Sequence, residues 1–100
     1  MVIRMRIYES QQADHQAADR IFYEDVKPIH EKYGAEFIAR YRDQHGRVIV
    51  MWRYADQTTM EQIQQDVARD PYTLKTREQR LKSGLHDLPF EELLLTETSL

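Results

Sequence analysis

One histidine stands where it could take part in proton transfer. His30 follows Val26 by four residues and Phe22 by eight, so in a helix it lies at the edge of the same apolar stripe. An imidazole with an ordinary pKa of about 6.5 suits general acid or base catalysis near neutral pH. The commoner role of such a histidine is structural, with its ring bonded to a backbone carbonyl or to water. His30 is therefore the candidate catalytic residue, and the structural role stays open.

Aromatic side chains form a second candidate group. Six Tyr and one Trp are many for this length, and several fall on the helical stripe or on strand positions expected to face helices. Aromatic walls with a few hydroxyl groups are typical of small-molecule sites, and equally of protein cores. The candidate ligand-binding residues are Phe22, Val26, Tyr33, Tyr41, Trp52, Tyr54 and Tyr72.

The other histidines lack the spacing of metal ligands. His15, His45 and His86 are scattered, and His30-Glu31 begins a zinc-protease motif in which Gly34 stands where the second His is required. The sequence has no Cys, no phosphate-binding loop and no nucleophile elbow. We predict neither a metal nor a cofactor.

Size and charge limit the class of protein. A chain of 100 residues and 12.0 kDa predicts one domain over residues 1–100. Fourteen Lys and Arg against 17 Asp and Glu lack the basic excess of a nucleic-acid binder. The longest apolar run, Val48–Trp52, is far shorter than the roughly 20 residues of a membrane span. Without Cys or a signal sequence, we expect a cytoplasmic protein that binds neither nucleic acid nor membrane.

The patterning that must position these residues predicts the order β-α-β-β-α-β. Spacings of three and four residues predict a helix from about Asp14 to Tyr33, which Pro28 kinks without breaking, and two short helices near 59–69 and 71–83. Alternation of apolar and polar residues predicts strands over Val2–Glu9, Glu36–Arg42, Arg47–Tyr54 and Phe90–Thr96. This order predicts an α+β, ferredoxin-like subunit whose antiparallel sheet has the first and third strands at its centre and helices on one face.

Strict alternation divides the strand residues between two faces. The face expected under the helices carries Ile3, Met5, Ile7, Phe37, Ala39, Tyr41, Val48, Val50, Trp52, Tyr54, Leu93 and Leu95. The other face mixes seven apolar residues with charged ones: Val2, Tyr8, Ile38, Ile49, Met51, Phe90 and Leu94 with Arg4, Arg6, Arg40, Arg42, Arg47, Arg53, Glu36 and Glu92.

Apolar patches of this size usually mark an interaction surface, and a second copy of the chain would cover this one through a twofold axis. We therefore predict a homodimer. Its candidate interface residues are Arg4, Arg6, Glu36, Ile38, Arg40, Ile49, Met51, Arg53, Glu92 and Leu94. The alternative is a monomer in which the aliphatic parts of the Arg side chains shield the apolar residues. The arginines could also bind an anion, but pairing with Glu36 and Glu92 across the dimer is the simpler interpretation.

Several short segments, in their order along nearly the whole chain, resemble the NIPSNAP family of dimeric α+β barrel proteins. They are Arg6-Ile-Tyr8, Lys32-Tyr-Gly34, Gly46 followed by Val50-Met-Trp52-Arg-Tyr54, and Asp70-Pro71-Tyr72, where the family often has Trp in place of Tyr72. The resemblance implies a ferredoxin-like subunit whose sheet packs on a second subunit's sheet, with a pocket between helices and sheet. The wider superfamily includes cofactor-free monooxygenases, haem-degrading enzymes, isomerases, mutarotases and proteins without known chemistry, so fold alone selects no reaction.

The expected function is therefore that of a NIPSNAP-like homodimer that binds a small apolar or aromatic molecule in each subunit, its activity unassigned. A first alternative is a cofactor-independent monooxygenase, isomerase or cyclase in which His30 exchanges a proton with the substrate. A second is a structural interaction protein without a ligand.

Overall fold

Four antiparallel strands form one sheet in the structure, a computed structural model that describes residues 1–9, 15–82 and 88–99. The strands are β1 (Val2–Tyr8), β2 (Glu36–Arg42), β3 (Val48–Tyr54) and β4 (Phe90–Thr96). Their order across the sheet is β2-β3-β1-β4, which places β1 and β3 at the centre. The predicted α+β, ferredoxin-like fold and the predicted central strands are confirmed.

The first helical region runs without interruption through Pro28. It consists of α1 (His15–Ile21), a π-helical turn (Phe22–Val26) and α2 (Lys27–Lys32). Because proline has no N–H and its ring clashes with the carbonyl four residues earlier, an α-helix cannot continue unchanged here. The wider turn provides the adjustment, with the Lys27 N–H donating to the Phe22 carbonyl five residues back. The helix is thus modified and not broken, as predicted, although its predicted start at Asp14 lies outside the described residues.

Glycines with a positive φ lie at the end of this helical region and in the turn of the β2–β3 hairpin. Gly34 has a φ of 103°, and the N–H of Ala35 donates to the His30 carbonyl at 3.1 Å to close the helix. Gly46 has a φ of 83° in the hairpin turn, where the N–H of Asp43 donates to the Arg47 carbonyl. A residue with a Cβ would be strained at either position.

Two further helices complete the layer, α3 (Gln57–Arg69) and α4 (Pro71–Lys82). The N-cap of α3 is Asp56, whose carboxylate accepts a hydrogen bond of 2.7 Å from the Thr59 N–H, and not Thr58 as its spacing from Glu61 suggests. The predicted extension of α4 to residue 83 lies outside the described residues. The buried core joins α3 to the first helical region and to β1 and β3; it contains Val2, Phe22, Ile29, Ala35, Val50, Trp52, Tyr54, Met60, Ile63 and Val67.

The register of β1 corrects the predicted faces of the sheet. Arg4 lies opposite Trp52 and Arg6 opposite Val50, so these arginines share the helix-facing side with the core. On β4, Leu94 and Glu92 are the partners of Arg4 and Arg6 and lie on the same side. The prediction is therefore wrong for two sets of residues. Val2, Arg4, Arg6, Tyr8, Phe90, Glu92 and Leu94 do not lie on the open face, and Ile3, Met5, Ile7, Leu93 and Leu95 do not lie under the helices.

A β-bulge between Phe37 and Ala39 changes the alternation within β2. Phe37 lies opposite Trp52, whereas Ala39 lies opposite Met51, so the two residues point to different faces. Arg40, opposite Val50, consequently faces the helices, and Ala39 and Tyr41 do not. Strict alternation therefore assigned Arg40, Ala39 and Tyr41 to the wrong faces, because it does not allow for an inserted residue.

The open face of the sheet is more apolar than predicted. Its charged residues are Glu36, Arg53 and Glu91, and Arg53 donates to Glu36 at 3.0 Å. Nine apolar residues lie on this face: Ile3, Met5, Ile7, Ala39, Tyr41, Ile49, Met51, Leu93 and Leu95. Each is at least partly exposed, since the buried helix residues cluster with the opposite side of the sheet. Of the predicted interface residues, Glu36, Ile49, Met51 and Arg53 lie here, and Ile38 lies at the bulge.

Candidate functional site

A cavity of about 370 Å³ lies between the helix-facing side of the sheet and the helices. β1 and β3 contribute its floor, and α1, the π-helical turn and α4 its sides. Its apolar lining includes Ile21, Phe22, Val26, Val48, Val50, Trp52 and Leu81. The charged residues of its lining, within the described ranges, are six arginines and one carboxylate: Arg4, Arg6, Arg40, Arg42, Arg77, Arg80 and Glu9.

His30 lines this cavity and stacks on Trp52. The two ring centroids lie 5.0 Å apart at an interplanar angle of 26°, and Trp52 is only 2% exposed. The His30 Nδ1 is buried and has no hydrogen-bond partner among the described residues. Burial, and then the charges of Arg4 and Arg6, lower the pKa of His30 from 6.5 to about 4. The imidazole is consequently neutral at pH 7 and can accept a proton or a hydrogen bond.

Aromatic packing holds this part of the wall in place. Phe37 meets Trp52 edge-on at 5.3 Å, and Phe22 lies 5.7 Å from Phe37 and 6.2 Å from Trp52. Such tilted and edge-on pairs stabilise one another beyond the area that they bury. The wall is therefore rigid and apolar on the side where His30 stacks.

Arg4 is the most deeply buried cation of the cavity, with 4% of its surface exposed. Its Nε atom has no hydrogen-bond partner, and no ion pair joins it to a carboxylate in residues 1–9, 15–82 or 88–99. Its guanidinium lies 5.9 Å from the centre of the Tyr54 ring. Burial, as the largest cause, lowers the pKa of Arg4 from its usual value, although an arginine remains charged at neutral pH.

The neighbouring arginines have carboxylate partners. Arg6 donates to Glu92 at 2.8 Å and lies 4.2 Å from the centre of the Phe90 ring. Arg40 and Arg42 both donate to Asp19 of α1, which lowers the pKa of that carboxyl. Arg4 thus differs from the cations beside it.

A second, smaller cavity of about 300 Å³ shares part of this wall. It is bounded on its other side by Gln64, Val67 and Ala68 of α3 and by Thr73 and Leu74 of α4. The residues common to both cavities are Arg4, Arg6, His30 and Arg77. Arg4 and His30 therefore lie where the two spaces meet.

The structure brings four of the predicted site residues together: Phe22, Val26, His30 and Trp52 all line the larger cavity. Tyr54 is buried beneath Arg4 but does not line it, and its hydroxyl has no partner among the described residues. Tyr41 lies on the open face and is 61% exposed, so its predicted place in the wall is wrong.

Tyr33 and Tyr72 lie outside both cavities and connect helices. The Tyr33 hydroxyl donates to Asp70 at 2.6 Å, and the Tyr72 hydroxyl donates to Asp25 at 2.7 Å. These carboxylates raise the pKa of both phenols. The structure therefore does not bring these two tyrosines together with Phe22, Val26, His30 and Trp52, and each hydroxyl is occupied by a hydrogen bond between helices.

Sequence reasoning missed the contribution of α4 to the cavity. Arg77, Arg80 and Leu81 line the cavity from that helix. Spacings of three and four residues within 77–81 place these side chains near one another on one side of α4, and this was the available signal. The arginines of β1 and β2 were recognised but were placed on the wrong face.

Other chemistry has little support in the described part of the chain. No group of three or more His, Cys, Asp and Glu within it could hold a metal ion, and His86 lies outside it. None of its helices combines the length and hydropathy needed to cross a membrane.

Comparison with solved structures shows what this architecture is similar to. An uncharacterised NIPSNAP domain protein from Burkholderia xenovorans superimposes with a TM-score of 0.82 at 16% identity, covering 99% of this chain and 96% of its own. A NIPSNAP family protein from Agrobacterium tumefaciens gives 0.81 at 20% identity, with 97% and 92% covered. The chain has the NIPSNAP fold.

A more distant solved structure also matches this chain. A protein from Nitrosomonas europaea assigned as an antibiotic biosynthesis monooxygenase matches with a TM-score of 0.59 at 10% identity, covering 99% of this chain and 100% of its own. No protein-family model and no curated protein matches the sequence significantly. At these identities the comparisons establish the fold alone.

Proposed function

We propose that the chain is a single NIPSNAP-like domain that forms a homodimer and binds a small apolar or aromatic molecule between its helices and its sheet. The observation that carries this proposal is the cavity of about 370 Å³, which has aromatic residues in its wall and two buried polar side chains. The Arg4 Nε and the His30 Nδ1 have no hydrogen-bond partner in the part of the chain that the structure describes. Its volume falls in the range of about 300–1,000 Å³ found for small-molecule sites.

Trp52 supplies the test of ligand binding, because it is the only tryptophan and lines the cavity. We expect 2-naphthamide, a neutral flat aromatic molecule, to change the fluorescence of Trp52 in a saturable manner with one site per chain. Ala18 also lines the cavity, so Ala18→Phe should fill it and remove the response. Ala55→Phe, at an exposed position outside the cavity, is the matched control and should retain it. Absence of a saturable response in the unmodified protein would contradict ligand binding.

The open face of the sheet supports the homodimer. Nine apolar and three charged residues form a patch that can pack against the same patch of a second copy, because a twofold axis brings two identical surfaces together. Patches larger than a few hundred Å² are rarely left in water by monomeric proteins. Met51 of β3 lies at the middle of this face, between Met5 of β1 and Ala39 of β2.

A charge at this central position should separate the subunits. We expect Met51→Glu to convert the dimer to a monomer in sedimentation equilibrium at micromolar concentration, because a carboxylate would be buried without a partner. Gln65→Glu, which adds the same charge at an exposed position of α3, should leave the dimer intact. An unmodified protein that sediments as a single 12.0 kDa chain would contradict the dimer.

A second candidate function is enzymatic, and the state of His30 favours it. A neutral, buried imidazole whose Nδ1 has no partner among the described residues, and which lines the cavity beside Trp52, can accept a proton from a bound substrate. The monooxygenase assignment of the Nitrosomonas europaea protein suggests testing a hydroquinone, such as 1,4-naphthohydroquinone, in the presence of oxygen.

Oxygen uptake measures this activity directly. The unmodified protein should accelerate uptake above the rate in buffer, and His30→Gln should lower that acceleration by about 10²-fold or more, the usual contribution of a general base. Equal rates for the two folded proteins would exclude His30 as the base. Uptake no faster than in buffer would exclude this substrate class.

A further inference from the structure

We infer that the molecule bound in the larger cavity is an anion, a flat apolar skeleton bearing one carboxylate that pairs with Arg4 beside His30. This inference rests on the proposed ligand-binding function and specifies the chemical class of the ligand. It follows from three features of the cavity: an uncompensated buried cation, a positive lining and an aromatic wall.

The uncompensated cation is Arg4. A guanidinium that is 4% exposed has lost most of its water, and buried charges are normally paired or coordinated. The Nε of Arg4 has no partner, and no carboxylate in the described parts of the chain forms an ion pair with it. The planar guanidinium matches a carboxylate in a two-point hydrogen bond, which an amide or hydroxyl group cannot form as strongly.

The charges around Arg4 add to its preference for an anion. Among the residues that the structure describes, six arginines and one carboxylate, Glu9, line the larger cavity. Of the nearby carboxylates, Glu92 is already paired with Arg6, and Asp19 is shared by Arg40 and Arg42. The whole chain carries a net charge of −3, so this positive interior does not reflect the average composition. Opposite charge in a cleft with low-dielectric walls concentrates ions of the other sign.

The apolar residues that line the cavity indicate the chemistry of the uncharged part of the ligand. Trp52, which stacks on His30 and lies opposite Arg4, and Phe22, whose ring centre lies 5.0 Å from the Arg40 guanidinium, contribute apolar surface to the same cavity. The neutral Nδ1 of His30 can accept a hydrogen bond from a hydroxyl group or from water beside the carboxylate. An aromatic or similarly flat carboxylic acid satisfies both parts of the cavity at once.

A matched pair of probes tests the charge separately from the skeleton. We expect 2-naphthoate to bind at least about tenfold more tightly than 2-naphthamide in calorimetric titrations, since hydrogen bonds to charged groups are the stronger ones. Arg4→Met should remove this preference, so that the two probes bind with about equal affinity. Arg69→Gln loses an equal charge at an exposed position at the end of α3, outside both cavities, and should bind like the unmodified protein.

Each outcome is decisive. Equal binding of the two probes overturns the anion and leaves the proposed ligand-binding function in place, whereas absence of binding by both overturns the two together. A preference for 2-naphthoate that survives in Arg4→Met overturns the role of Arg4. If Arg4→Met does not fold, Arg4→Gln, which keeps polar atoms at the site, must show the same loss of preference.

Discussion

At the scale of single residues, the cavity brings together two groups that disfavour each other's charge. The charged guanidinium of Arg4 is buried. The burial of His30 itself, together with the positive charges of Arg4 and Arg6, keeps the His30 ring unprotonated. A protonated His30 would place a second cation beside the first in a medium of low dielectric constant. An unpaired cation, Arg4, therefore lies near a neutral acceptor, His30, in this part of the cavity, an arrangement suited to a carboxylate with a hydroxyl or water next to it.

The lowered pKa of His30 makes stability depend on pH. Between pH 6.5 and about 4 the unfolded chain binds a proton at His30 that the folded chain does not, so stability falls as pH falls through this window. The difference is about 3 kcal/mol when the window has been crossed. His30→Phe keeps an aromatic ring on Trp52 and removes this proton.

Urea unfolding at pH 7 and pH 4.5 measures the effect. Relative to the unmodified protein, His30→Phe should gain stability on going from the higher to the lower pH, because only the unmodified protein must release a proton from His30 to fold. Parallel stability profiles for the two proteins would show that His30 does not titrate as described.

The unpaired charge of Arg4 predicts a stability gain on its removal. Replacing a buried charged group by an apolar one of similar volume is often neutral or stabilising by about 1–4 kcal/mol. Arg4→Met should therefore have a Tm equal to or above that of the unmodified, ligand-free protein. A large fall in Tm would mean that the guanidinium has protein partners in the native state and is not reserved for a ligand.

At the scale of elements, one carboxylate joins three helices. Asp70 lies between α3 and α4, accepts from the Tyr72 N–H at 2.8 Å at the start of α4, and accepts from Tyr33 and Lys32 at the end of α2. Those hydrogen bonds lower the pKa of Asp70 to about 2. This junction fixes the helix that carries His30 relative to the helix that closes the cavity.

Asp70→Ala should therefore lower Tm more than Asp56→Ala. Both changes remove an N-terminal helix cap, but Asp70 is buried with three donors, and Asp56 is exposed and accepts from the backbone N–H of Thr59. Thermal unfolding followed by circular dichroism compares the two. A smaller effect of Asp70→Ala would contradict the structural role of this junction.

The sequence predicts the elements of this fold better than their faces. Strand and helix order, the central places of β1 and β3 and the continuity through Pro28 all follow from local spacing and topology rules. Alternation, however, gives two sets of residues in each strand without saying which set is covered. In β1 the long stems of Arg4 and Arg6 occupy the covered side, and in β2 a bulge after Phe37 reverses the remainder of the strand.

The sequence likewise predicts some residues of the candidate site and misplaces others. Phe22, Val26 and His30 are related by helical spacing within one region of chain, so the sequence places them on one stripe. Tyr33 and Tyr72 have partners at Asp70 and Asp25, whose distance along the chain hides the contact. The positive lining of the cavity depends on strand register, which side-chain period alone cannot supply.

At the scale of the whole molecule, the two faces of the sheet have different partners. The helix-facing side of the sheet packs against the helices in the core and carries arginines that line the cavity. The open face carries nine apolar residues and few charges, and it joins a second copy in the proposed dimer. The proposed ligand and the proposed second copy thus lie on opposite sides of one layer, and β1 and β3 contribute residues to both surfaces.

Native mass spectrometry in the presence of 2-naphthoate tests this division of the sheet most directly. We predict a species of twice the 12.0 kDa chain mass that carries two molecules of 2-naphthoate, and an Arg4→Met protein that remains dimeric and carries 2-naphthoate at clearly lower occupancy at the same ligand concentration. A single chain, or a dimer of the unmodified protein that takes up no 2-naphthoate, would contradict it.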